Sequence, residues 1–177
     1  VSDGSGYDVA CADAESPLRY QLDGDTIQYT EIDFGPPFRK HLYFVYLNQK
    51  ASSPDAVRDY LKKGAKRRTL VKSLTEITEN IINCRSMSEF CRLLEAHENL
   101  VAKVLEMPTV KSKYFKDFDG AVKSLGAWGG DFILACSDSG QEHVRSYFED
   151  KGFSTIIPYD EMLYATQPAE KLTEATR

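Results

Sequence analysis

The stretch "DGSGYDVACA", residues 3–12, sets Gly4, Ser5 and Gly6 against one acid, Asp8, almost at the first residue of the chain. Glycines let a backbone turn and expose its N–H groups, and concave turns of this kind bind anions, phosphate above all. A carboxylate beside such a turn can take a hydroxyl proton or help hold a phosphate-bound Mg2+. A second stretch repeats the pattern: "GAWGGD", residues 126–131, runs Gly126, Ala127, Trp128, Gly129, Gly130 into Asp131. The pair describes phosphoryl transfer to an alcohol, in which positioning and charge stabilisation do most of the work. Composition alone also fits ordinary turns, because neither stretch contains GxxxxGK[ST] and "GAWGGD" does not contain GxGxxG.

The bulk properties set the frame. The 177 residues are 42% hydrophobic and 28% charged, enough for one compact domain or two small lobes with a sizeable core. A net charge of -5 disfavours bulk attraction to nucleic acid or anionic lipid, so neither is an expected partner. The local run "KKGAKRR", residues 62–68, fits a solvated helix end or a polyanion site. Cys11, Cys84, Cys91 and Cys136 form no CxxC pair, and no histidine stands near them at ligand spacing. No zinc site, disulfide framework or other metal ligand set is therefore expected, and the usage points to the cytoplasm. No apolar run approaches the roughly 18 residues that span a bilayer. The first residue is Val1, so the chain reads as a piece of something longer.

Along the chain, "SPLRYQLDGDTIQYTEIDF" predicts a β-hairpin with Asp23-Gly24 at its turn. "HLYFVYL", residues 41–47, has the unbroken apolar character of a buried central strand. A helix is expected over "SSPDAVRDYLKKG", and a second from Leu70, Leu74, Ile77 and Ile81. A third opens on the capping box Ser86-x-x-Glu89, with Phe90, Leu93, Leu94, His97, Val101 and Val104 on its stripe, and ends at Pro108. His97 is expected as a buried, hydrogen-bonded structural histidine. Glu89, Arg92, Glu95 and Glu98 are expected in solvent. "AVKSLGAWGGDFILACS" then reads strand, loop, strand; Ser139-x-x-Glu142 opens another helix, and "FSTIIPY" is a final strand. A helix layer followed by strand, strand, helix and strand predicts an α+β sandwich of the ferredoxin-like sort.

These residues carry a resemblance. "GSGYDVACA" followed by "KSLGAWGGDFILACS" resembles the GHMP kinase superfamily, and within it a bacterial branch named for a Gly-Tyr-Asp-Ile-Ala motif, here Gly6 to Ala10. The two motifs stand in family order, about 120 residues apart. The resemblance implies a two-lobed α+β fold: residues 1–50 as the end of the N-terminal lobe, 51–165 as a ferredoxin-like C-terminal lobe, and 166–177 as a flexible tail. It implies an ATP- and Mg2+-dependent kinase phosphorylating a small alcohol or phosphate acceptor, mevalonate-like or a sugar. Asp8 would be the base at the acceptor hydroxyl. Gly4, Ser5 and Gly6 would shape the turn presenting it, and Ser52 and Ser53 would stand near the acceptor. Gly126, Ala127, Gly129 and Gly130 would steady the nucleotide phosphates.

Three departures qualify the implication. Trp128 stands where the family's loop carries small residues, and it fits either narrowing the acceptor pocket or packing beneath the loop. Asp131 replaces a common glycine, as a metal-side carboxylate or as a cap. The family's Pro-x-x-x-Gly-Leu-Gly-Ser-Ser nucleotide loop has no match in these residues. The chain alone is therefore expected to turn over little ATP. Its expected partners are the missing N-terminal portion and, through an exposed apolar edge, a second copy. The alternative reading is a non-catalytic α+β module that binds a small anion or a partner through the same loops.

Overall fold

The computed structural model describes residues 6–23, 26–49, 67–126 and 130–162. They fall into two compact units, 6–34 and 35–162. The first holds helix α1 (Tyr7–Asp13) and the antiparallel pair β1 (Leu18–Asp23) and β2 (Thr26–Glu31). Alternation aligns apolar residues across the pair, Tyr20 opposite Tyr29 and Leu22 opposite Ile27. The turn expected at Asp23-Gly24 falls partly outside the described residues. Asp23 is the last paired position, opposite Thr26, which leaves the connection to residues 24 and 25, outside the described ones. The Tyr7 ring meets Tyr20 edge-on at 5.6 Å, seating α1 on the hairpin.

The second unit runs β3 (Leu42–Tyr46), α2 (Arg67–Asn83), α3 (Met87–Leu105), α4 (Val110–Tyr114), β4 (Ala121–Ser124), β5 (Phe132–Cys136), α5 (Gln141–Asp150), β6 (Ile156–Pro158) and α6 (Tyr159–Met162). The sheet order is β4-β5-β3-β6 with every neighbour antiparallel. This is the split β-α-β arrangement of ferredoxin-like folds, so the expected α+β class stands. "HLYFVYL" does supply a central strand, β3, held between β5 and β6. Tyr43, Val45 and Leu47 alternate into the core with Val122, Ile133, Ala135 and Ile156. The helical side contributes Val110, Phe115, Val144 and Phe148, with Phe115 edge-on to Phe148 at 5.1 Å. Burying this many aromatic and branched side chains, each worth about 1.5–3 kcal/mol, fixes the sheet and its helices as one body.

Helix α3 buries Phe90, Leu93 and Leu94 of the expected stripe and Ala102 beside it, while Val101 and Val104 are only partly buried; it packs against β4, with α2 on α3. Its end comes at Leu105, where Glu106 turns left-handed at φ 57, before Pro108 is reached. Both capping boxes fail. Ser86 is the N-cap of α3 but its hydroxyl meets Ser88 at 3.2 Å, while Glu89 is drawn to Arg92. Helix α5 starts one residue later than expected, with Gly140 at the N-cap. The helix expected over "SSPDAVRDYLKKG", the run at 62–66 and the tail at 166–177 lie outside the described residues.

Candidate functional site

Gly6 opens α1 in the left-handed region at φ 75, and its carbonyl accepts from Ala10 N–H at 3.0 Å. Glycine suits this position chiefly for its backbone conformation. The backbone conformation disfavours any Cβ, and a Cβ there would lie 3.2 Å from Ile27 Cδ1. Asp8 is consequently the second residue of a helix and not the last of a loop. Gly4 and Ser5 lie outside the described residues.

The second glycine-rich segment joins β4 to β5. Leu125 N–H bonds Phe132 O at 3.0 Å, closing the strand pair at the loop's base. Gly126 is exposed at φ 61, with nothing within 4 Å of where a Cβ would stand. Gly130 is buried, and the carbonyl of Asp131 accepts from Leu47 N–H at 2.6 Å, tying the far end of the loop to β3. Asp131 itself is exposed. Ala127, Trp128, Gly129, Ser52 and Ser53 lie outside the described residues. Gly6 and Asp8 belong to the first unit, Gly126 and Gly130 to the second.

The polar centre that sequence reasoning missed is Glu98. Expected in solvent, it is 1% exposed. Its Oε1 accepts from Ser124 Oγ at 3.0 Å and Val110 N–H at 3.3 Å, and its Oε2 from Ser124 N–H at 3.1 Å. One carboxylate thus fastens α3 to the start of α4 and the end of β4. The signal lay in the spacing: Glu98 follows Phe90 and Leu94 at steps of four, on the stripe itself. Nearby, Lys111 Nζ bridges Glu95 Oε1 at 3.1 Å and Gly120 O at 2.5 Å. These groups edge an open cavity of about 320 Å3, lined also by Asn99, Ser112 and Lys116. The carboxylate of Glu98, the hydroxyl of Ser124 and the ammonium of Lys111 are engaged within the protein, so this cluster works as scaffold. His97, expected to be buried and hydrogen-bonded, is only partly buried, and its Nδ1 finds no hydrogen-bond partner. Burial, then the Lys123 charge, pushes the ring down to about 4, so it is neutral at pH 7. Among the described residues no cluster of three His, Cys, Asp or Glu is placed to hold a metal ion, and no helix is long and apolar enough to cross a membrane.

Solved structures similar to this chain include a Methanococcus kinase and a Listeria protein. The crystal structure of the Methanococcus jannaschii mevalonate kinase matches with a TM-score of 0.59 at 14% identity, over 78% of this chain and 45% of that one. A Lin0012 protein from Listeria innocua matches with a TM-score of 0.57 at 16% identity, over 75% of this chain and 41% of that one. This chain therefore spans less than half the length of either. No family model and no curated protein matches the sequence. The fold is thus GHMP kinase-like, of the α+β class.

Proposed function

We propose that these residues are part of an ATP-dependent small-molecule kinase of the GHMP type, with Asp8 as the base at the acceptor hydroxyl. The observation that carries the reading is the fold shared with a mevalonate kinase over 78% of the chain, on a sequence whose two glycine-rich motifs stand in that superfamily's order. Nucleotide fits one feature of the second loop. Gly126 is exposed, with open space around its Cα, so backbone there is reachable by a phosphate. Mg2+ finds no ligand cluster among the described residues. ATP, when bound, supplies the phosphoryl group. Gly6 turns the backbone so that Asp8 enters the first turn of α1, and Asp8 takes or orients the acceptor proton. Gly4, Ser5, Ser52 and Ser53 would border the acceptor; Ala127, Gly129 and Gly130 would complete the loop around the phosphates. The acceptor is an alcohol of the mevalonate, phosphomevalonate or sugar class.

The test is ADP release across a panel of such alcohols, using the protein encoded by the full reading frame that carries these residues. Acceptor-dependent ADP release supports the proposal. Tight binding of small anions with no turnover on any alcohol would favour the non-catalytic module instead.

A further inference from the structure

Two cysteines 45 positions apart in sequence meet in the second unit: the sulfurs of Cys91 and Cys136 share a hydrogen bond at 2.9 Å. Both backbones are held by regular structure. Cys136 ends β5 and is paired in register with Leu42 on one side and Ala121 on the other. Cys91 lies in the second turn of α3, whose neighbours Phe90, Leu93 and Leu94 are buried. The two thiols are thus presented to each other by a packed helix and a central strand, without help from a mobile loop. Their accessibility differs. Cys136 is fully buried, whereas Cys91 is only partly so and can be reached from solvent.

We propose that Cys91 and Cys136 are a redox-modification site, closing reversibly to an intramolecular disulfide when a peroxide attacks Cys91. The Cys91 thiolate attacks one peroxide oxygen, the O–O bond breaks, and hydroxide leaves, giving Cys91 sulfenic acid. The Cys136 sulfur then displaces the sulfenic hydroxyl, forming the S–S bond and releasing water. In sum, two thiols and one hydrogen peroxide give one disulfide and two waters, the peroxide being the two-electron oxidant. The order of attack follows from the surroundings. The hydrogen bond shared with Cys136 holds the Cys91 thiol below its ordinary range, and burial works against this. The Ala121 amide also favours the thiolate, while the charges of Glu95 and Asp138 oppose it. The same sharing, with burial, drives Cys136 far up, so it acts second as the resolving thiol.

The experiment exposes the chain to stoichiometric hydrogen peroxide, in a Cys11→Ser background that removes the exposed thiol, then alkylates and maps peptides without reduction. Expected are a mass loss of about 2 Da, a linked peptide pair carrying Cys91 and Cys136, a Cys84 that still alkylates, and full reversal by dithiothreitol. In Cys91→Ser, Cys136 should stay alkylatable throughout; in Cys136→Ser, Cys91 should stop at the sulfenic acid, trapped by dimedone. The proposal is overturned if both cysteines remain alkylatable, or if Cys91 passes to sulfinic acid while Cys136 is still a free thiol. It is equally overturned if Cys91→Ser protects nothing.

Discussion

Replacing Glu98 by alanine deletes one carboxylate and leaves three donors, Ser124 N–H, Ser124 Oγ–H and Val110 N–H, buried without an acceptor. Hydrogen bonds to a charged group are worth about 1.5–3 kcal/mol each, so the gross loss is roughly 4.5–9 kcal/mol. Releasing the cost of keeping a carboxylate in a site 1% exposed returns part of that. The net expectation is about 4 kcal/mol, within the range seen when one member of a buried charged network is removed. Lys123 responds as well: burial already holds its ammonium below the ordinary lysine range, and the attraction of Glu98 is what opposes the fall. Glu98→Gln keeps the volume and one carbonyl acceptor but turns an NH2 toward a donor, for about 2 kcal/mol. Urea unfolding followed by circular dichroism reads both, as a lower midpoint at unchanged slope. Out of a total of about 5–15 kcal/mol the alanine loss is large. An alanine variant within about 1 kcal/mol of the parent would refute the reasoning.

Other outcomes follow from the same geometry. His97 is pushed down to about 4 in the folded chain, so below its unfolded value of about 6.5 the folded state binds fewer protons than the unfolded one. Stability is full above about pH 6.5 and falls toward pH 4, by about 2 kcal/mol once partial solvent access trims the shift; His97→Gln should flatten that segment of a Tm-against-pH profile, and an unchanged slope would contradict it. Gly126→Ala meets open space but a left-handed backbone, for a cost of about 1–2 kcal/mol in thermal unfolding. No measurable shift would mean that φ 61 is not held in solution. Leu22, Ile27 and Tyr29 stand half-exposed on the hairpin, so sedimentation should show concentration-dependent association that Ile27→Lys weakens. A monomer at every concentration would remove that expectation.

The second unit was legible because its elements obey their periods. "HLYFVYL" is apolar without interruption, and the strand is indeed held on both sides, which is what such a run demands. The helix stripe through Phe90, Leu93 and Leu94 gave α3 its buried face. What escaped were long-range decisions. Glu98 sits on that stripe, but only the approach of Ser124 and Val110, from segments far along the chain, makes burial of its charge affordable. Cys91 and Cys136 meet for the same reason, through sheet register and not through spacing. The first capping box failed because Ser86 and Glu89 found nearer partners in Ser88 and Arg92, the second because Gly140 takes the N-cap in place of Ser139. Of the candidate site, the glycine pattern was readable, and Gly6 and Gly126 do take left-handed backbone. That Asp8 lies inside a helix was not, since "YDVACAD" has neither a strong cap nor a long apolar stripe.

The proposed chemistry turns on Asp8. In the full-reading-frame protein, with its best alcohol acceptor, Asp8→Asn should leave nucleotide affinity unchanged in a fluorescent ATP-analogue titration. It should lower kcat by roughly 10²-fold or more, the contribution of a general base. A kcat equal to that of the parent, at equal nucleotide affinity, would contradict the assignment and with it the kinase mechanism proposed for this chain.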